Sequence, residues 1–101
     1  MIAVANRNDI QQRLRPYLPQ LRQRYGVTAL SLFGSYSRGE QTAASDVDLL
    51  VQIDNPTLTL FQFVELRDQL TDLLGVPVDL VEQETLKPTI SKRILQEAQP
   101  V

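Results

Sequence analysis

The stretch Phe33–Val51, FGSYSRGEQTAASDVDLLV, combines a glycine-serine turn with two aspartates that are separated by a single residue. Its apolar end predicts a strand over Val47–Ile53, in which successive side chains alternate between the two faces. Asp46 and Asp48 then share one face, about 6 to 7 Å apart at Cα. Two carboxylates this close raise each other's pKa unless a cation lies between them. The pattern therefore indicates either a metal site or an ordinary solvent-facing strand edge.

Two further apolar runs, Val27–Phe33 and Val76–Val81, are too short for helices and predict two more strands. Asp79 lies inside the second of these runs. If this strand neighbours the strand that follows Asp46, Asp79 joins Asp46 and Asp48 on one face. Three acidic side chains would suit one or two divalent ions. Otherwise Asp79 is a strand-end carboxylate that faces water.

The turn between the first two strands has features of a phosphate-binding loop. Backbone amides at Gly34 and Ser35 can bind phosphate oxygens at the start of a short helical turn, and the serine adds a hydroxyl. Arg38 can either reach a phosphate or form a surface pair with Glu40. Tyr36 lies at the mouth of the turn, where we expect it to be exposed.

The rest of the chain has helical apolar spacing. Residues 6–25 predict a helix that Pro16 kinks or breaks. A capping box at Thr59–Gln62 begins a second helix, which Gly75 ends. A last short helix follows from about Leu86 to Ala98. This order predicts an α/β (α+β) fold with a small mixed β-sheet and helices packed on one face.

Composition narrows the class of protein. The 101 residues predict a single domain over 1–101. The net charge of −2 argues against direct nucleic acid binding, although five arginines between residues 7 and 24 form a solvated helix face or a partner-facing surface. Without cysteine or histidine, a thiol nucleophile, a Ser-His dyad and a typical zinc site are excluded, so any metal has oxygen ligands. No apolar run reaches the ~20 residues of a membrane span and no signal peptide is recognisable, so we expect a cytoplasmic protein without membrane contact.

The motifs together are more specific than any one of them. Gly-Ser, ten residues, Asp-Val-Asp-Leu and a later strand aspartate resemble the nucleotidyltransferase superfamily that includes DNA polymerase beta. The stretch GSYSRGEQTAASDVDLLV resembles in particular the minimal nucleotidyltransferase (MNT) family, and the likeness extends from about Tyr25 to Val81. PTISKRILQEA, residues 88–98, looks like the closing helix of that family. Ser37 departs from the family pattern, which usually has alanine there.

The resemblance implies roles for the residues that match the motif. The predicted nucleotide-binding residues are Gly34, Ser35, Arg38 and Ser45. The predicted catalytic and Mg²⁺-binding residues are Asp46, Asp48 and Asp79. Asp79 would activate the acceptor hydroxyl or help to hold a second metal ion. The implied reaction transfers a nucleoside monophosphate from ATP or another nucleoside triphosphate and releases pyrophosphate.

The resemblance also implies a partner. MNT proteins are antitoxins of small helical HEPN toxins, and some attach AMP to a tyrosine of the toxin. One hypothesis is therefore an active transferase that silences a HEPN partner, which the three aspartates favour. A second is an antitoxin that neutralises its partner by binding alone. A third is a structural domain whose acidic strand simply faces solvent.

Overall fold

The protein is described by a computed structural model over residues 2–101, in which two successive helices are followed by alternating strands and helices. The helices are α1 (Arg7–Leu14), α2 (Leu18–Tyr25), α3 (Ser35–Arg38), α4 (Leu60–Leu74) and α5 (Pro88–Glu97). The strands are β1 (Val27–Phe33), β2 (Val47–Ile53), β3 (Val78–Glu82) and β4 (Gln99–Pro100). Within this part of the chain, no helix is long and apolar enough to cross a membrane.

The strands form one mixed sheet in the order β3-β2-β1-β4. Strand β2 is antiparallel to β1 and parallel to β3, and β4 is antiparallel to β1. The mixed sheet confirms the predicted fold. Strand β3 begins at Val78, two residues later than predicted, because Pro77 has no amide hydrogen to donate to the sheet. The two-residue strand β4 was not predicted, since it is too short to show a pattern.

The first helical segment is interrupted where the prolines predict. The side chain of Asn6 accepts a hydrogen bond from the Asp9 amide at 2.9 Å and begins α1. A 3₁₀ turn at Arg15–Tyr17 then separates α1 from α2, with Pro16 at its start. Gly26 ends α2 in the left-handed conformation, at φ +80°. The predicted break and the predicted end of the segment are therefore both confirmed.

The core lies between one face of the sheet and three helices. It includes alternate residues of the central strands and the apolar stripes of α1, α2 and α4, among them Ile10, Leu14, Leu21, Leu32, Leu49, Val51, Leu66 and Leu70. The alternation of β2 is as expected, because its apolar side chains at positions 47, 49, 51 and 53 are buried. No side chain of α5 is buried. The packing leaves the aspartate-bearing face of the sheet outside this core.

Candidate active site

The turn after β1 lies directly against the aspartate-bearing strand. Gly34 has φ +76° and ψ −155°, a conformation that side chains other than glycine rarely adopt. A Cβ atom at this position would lie 2.0 Å from Oδ2 of Asp48. Only glycine therefore allows the backbone before α3 to come this close to the carboxylate. The turn then enters α3 at Ser35, the first residue of the helix.

The sheet brings the three predicted aspartates to one end of the same face. Asp48 and Asp79 lie directly opposite each other in the parallel pairing of β2 and β3, and Asp46 precedes β2. Neighbouring strands are about 4.8 Å apart, so this register makes the first two carboxylates near neighbours. Asp48 is half-buried, whereas Asp46 and Asp79 are exposed. The structure therefore juxtaposes one sheltered and two accessible carboxylates.

The half-buried carboxyl group of Asp48 is a weaker acid than an ordinary aspartate. The pKa of Asp48 is raised to about 6, first because burial disfavours its charged form, and second because Asp79 and Asp46 repel that charge. Arg38 lowers this pKa and Glu97 raises it, although both effects are smaller. Glu97 is thus a fourth carboxylate close enough to influence the site. Sequence reasoning missed it, because it lies in α5, far along the chain from the motif.

The same electrostatics fit a divalent cation. Among residues 2–101, no group of three or more acidic side chains is close enough together, as the structure stands, to hold a metal ion. A cation among Asp46, Asp48 and Asp79 would offset the repulsion that raises the pKa of Asp48. Carboxylate oxygens are the ligands that Mg²⁺ prefers. The residues present therefore fit a magnesium ion, and their roles as ligands stay a prediction.

Two of the predicted nucleotide-binding side chains have protein partners. Arg38 forms ion pairs with Glu40, at 3.1 Å, and with Glu97. The surface pair that the sequence allowed is therefore present, together with a second pair that only the fold creates. The hydroxyl of Ser45 accepts a hydrogen bond from the Thr42 amide at 2.9 Å and so braces its own loop. Nucleotide binding by Arg38 and Ser45 stays a prediction.

The helix that follows the glycine turn is more buried than expected. Tyr36 is only 4% exposed and belongs to the core, so the prediction that it is exposed was wrong. The single helical turn points this ring inward, which a short motif alone does not reveal. Ser37 is also buried, and its hydroxyl donates a hydrogen bond to the carbonyl oxygen of Glu97 at 3.2 Å. The departure from alanine at position 37 thus ties α3 to the end of α5.

Two cavities differ in size and in chemistry. A cavity of about 480 Å³ lies between the Gly34 turn and α5. A larger one, of about 780 Å³, lies beyond the other end of β2, where Leu60 is part of its lining. The smaller cavity is the candidate nucleotide pocket, because Gly34, which lies against Asp48, is part of its lining. The side chains that line a cavity identify a binding site better than its volume does.

Known proteins share both this sequence pattern and this fold. Residues 14–101 match the family described as the nucleotidyltransferase domain. The chain belongs to this nucleotidyltransferase family. It is 41% identical over 96 residues to the protein adenylyltransferase MntA of Thermococcus cleftensis, which covers 95% of this chain and 96% of that protein. It is 33% identical over 90 residues to MntA of Shewanella oneidensis, with 89% of this chain and 60% of that protein covered.

Solved structures support the same assignment for the nucleotidyltransferase. A structure provisionally named a minimal nucleotidyltransferase has a TM-score of 0.82 and 32% identity, and the match covers 96% of this chain and 97% of that one. A crystal structure of a toxin-antitoxin with AMP-PNP has a TM-score of 0.68 and 29% identity, covering 95% and 72%. A tri-AMPylated Shewanella oneidensis HEPN toxin in complex with an MNT antitoxin, at 24% identity, shows the fold alone. The protein is therefore a nucleotidyltransferase enzyme of the MNT type, as its motifs predicted.

Proposed function

We propose that this nucleotidyltransferase transfers AMP from ATP to a tyrosine hydroxyl of a HEPN protein, with Mg²⁺, and thereby acts as the antitoxin of a toxin–antitoxin pair. The register that sets Asp48 opposite Asp79, beneath the turn at Gly34, carries the proposal. It places carboxylates beside a loop that can hold phosphates. The similarity to protein adenylyltransferases named MntA supports AMP as the transferred group.

Different residues of the chain bind the phosphates and the metal ion. The amides at the start of α3, with the hydroxyl of Ser35, hold phosphate oxygens. Asp46 and Asp48 hold Mg²⁺, since they present carboxylate oxygens two residues apart on one strand face. When bound, Mg²⁺ neutralises charge on the attacking and leaving oxygens of an in-line displacement.

Asp79 faces the side from which an acceptor can approach. Its side chain is exposed, whereas Asp48 is sheltered by the Gly34 turn. Asp79 accepts the proton of the tyrosine hydroxyl while the tyrosine oxygen bonds to the α-phosphorus. The bond between the α-phosphorus and the oxygen that leads to the β-phosphate breaks, and pyrophosphate leaves. Asp79 is therefore the general base of the proposed reaction.

Intact mass spectrometry of the partner tests this function. A co-expressed HEPN protein is incubated with the nucleotidyltransferase, Mg²⁺ and each of the four nucleoside triphosphates in turn. We expect the partner to gain the mass of one or more AMP groups with ATP alone. The gain should disappear in Asp46→Asn and Asp79→Asn and persist in Asp72→Asn, an exposed carboxylate in the last turn of α4. An unmodified partner, still tightly bound, would contradict the transferase.

One observation favours binding as a second candidate function. Leu60 and Phe61, at the start of α4, are 77% and 89% exposed beside the 780 Å³ cavity. Exposed apolar pairs of this kind are typical of protein contact surfaces. A HEPN partner held there could be neutralised without any chemistry at the carboxylates. In that case Phe61→Ser would abolish neutralisation of the toxin while Asp48→Asn would leave it intact.

A further inference from the structure

The cavity beside the Gly34 turn has a second wall that the motif does not supply. Five residues of α5 line it: Ile90, Arg93, Ile94, Gln96 and Glu97. All of them except Gln96 share one face of the helix, because they are spaced three, four and seven residues from Ile90. The cavity volume of about 480 Å³ lies within the range of small-molecule sites, about 300 to 1,000 Å³. The helix therefore presents a mixed apolar and charged face to whatever the turn binds.

The two arginines of this cavity are in different electrostatic states. Arg38 pairs with Glu40 and Glu97, so its charge is already offset. Arg93 takes part in none of the ion pairs formed within residues 2–101, and its side chain is exposed. Arg93 is thus the cation of the cavity that remains available to an anion.

We propose that Arg93 binds the triphosphate of the donor nucleotide and that Ile90 and Ile94 contact its nucleoside. The inference rests on the proposed function, because it extends the same nucleotide site from the Gly34 turn onto α5. A guanidinium group matches phosphate oxygens with two parallel hydrogen bonds. Apolar side chains next to it suit the weakly polar faces of a base and a ribose. The ion pair with Arg38 keeps Glu97 from repelling the phosphates.

Binding of ATP to the full chain, without acceptor, tests this assignment. Isothermal titration calorimetry in the presence of Mg²⁺ gives the dissociation constant for each variant. Arg93→Gln should weaken ATP binding about tenfold, since hydrogen bonds to charged groups are among the stronger ones. Arg93→Lys should recover part of this loss, because lysine keeps the positive charge but cannot form the two parallel hydrogen bonds of a guanidinium group. The matched control is Lys92→Gln, which removes the same charge from the adjacent residue outside the cavity lining and should change affinity less than about twofold.

Comparison of ATP with AMP separates the triphosphate from the nucleoside. Arg93→Gln should affect ATP much more than AMP, whereas Ile90→Ala should weaken both by the same factor. Equal losses for ATP and AMP in Arg93→Gln would overturn the triphosphate assignment. An unchanged dissociation constant in Arg93→Gln, with tight binding by the wild type, would overturn the inference while leaving the proposed function standing. If the wild type binds no nucleoside triphosphate, the proposed function fails together with it.

Discussion

At the scale of single residues, the site depends on how closely the backbone at Gly34 approaches Asp48. That approach shelters the carboxylate, and burial is the largest cause of its raised pKa. The exposed Asp46 and Asp79 add repulsion. Ionisation of Asp48 therefore destabilises the folded protein. This is the arrangement expected where a cation binds.

The substitution Asp48→Asn should stabilise the metal-free protein while it abolishes transfer. A pKa raised from 3.8 to about 6 means that the folded state binds the proton more tightly than the unfolded state. The contribution of Asp48 to wild-type stability therefore falls as pH rises through this window. The variant should have equal stability at pH 3 and be more stable at pH 7 by about 1 to 2 kcal/mol, after a reduction for solvent exposure. Urea unfolding of both proteins at pH 3 and pH 7 measures this difference. A variant that is less stable than the wild type at pH 7 would contradict burial and charge repulsion as the causes of the raised pKa.

Gly34→Ala should destabilise the protein more than Gly39→Ala. Both glycines have positive φ, at +76° and +73°. An added Cβ collides with Asp48 at position 34, whereas at position 39 it meets no heavy atom within 4 Å in the described part of the chain. We expect a loss of about 1 kcal/mol for Gly39→Ala, and of about 2 kcal/mol or more for Gly34→Ala. Thermal unfolding measures both losses: Gly39→Ala reports the backbone strain alone, and Gly34→Ala reports the strain together with the collision. Equal losses would show that the Gly34 backbone can move away from Asp48.

At the scale of secondary structure elements, the link between α3 and α5 joins the phosphate-binding turn to the cavity wall. The buried hydroxyl of Ser37 donates to the carbonyl oxygen of Glu97, the last residue of α5. Arg38 adds its ion pair to the carboxylate of the same residue. No residue of α5 is fully buried, so these contacts, together with the pairing of β4 with β1 just after the helix, position its end. The element that lines the nucleotide cavity is thus held in part from the turn that the motif supplies.

Ser37→Ala should loosen α5 at a modest cost in overall stability. The change removes one buried hydrogen bond, which corresponds to about 1 kcal/mol. Hydrogen exchange of the α5 amides should speed up, while exchange in α4 should stay unchanged. Ser91→Ala, a serine within α5 itself, is the control and should be neutral or slightly stabilising, because alanine favours helix. Unchanged exchange in Ser37→Ala would show that α5 does not depend on this bond.

At the scale of the whole molecule, ligand binding should raise the free energy of unfolding. A ligand that binds only the folded state at about one hundred times its dissociation constant adds about 2.7 kcal/mol. For a chain of this size, saturating Mg²⁺ and ATP should therefore raise the melting temperature by about 10 to 20 °C. The shift should be lost in Asp46→Asn and retained in Asp72→Asn. The absence of any shift in the wild type would contradict the transferase hypothesis and would leave the binding antitoxin and the structural domain as the remaining hypotheses.

Much of this molecule follows from local patterns. The bounds of β1 and β2, the capping box at Thr59, and the break near Pro16 were all predicted, because apolar spacing and backbone chemistry act over a few residues. The two-residue spacing of Asp46 and Asp48 likewise predicted a shared strand face, although Asp46 lies just before β2. The short strand β4 and the burial of Tyr36 were not predicted, since both depend on contacts with distant segments.

The sequence by itself determined most of the secondary structure, the glycine turn and the family, because each is encoded in neighbouring residues. Only the tertiary structure decided that β3 pairs with β2 in parallel and so sets Asp79 opposite Asp48. It also decided that Glu97 pairs with Arg38 and that Arg93 lines the same cavity as Gly34. The physical reason is that strand order and helix placement minimise the free energy of the whole core, in which each residue's neighbours are mostly remote in sequence.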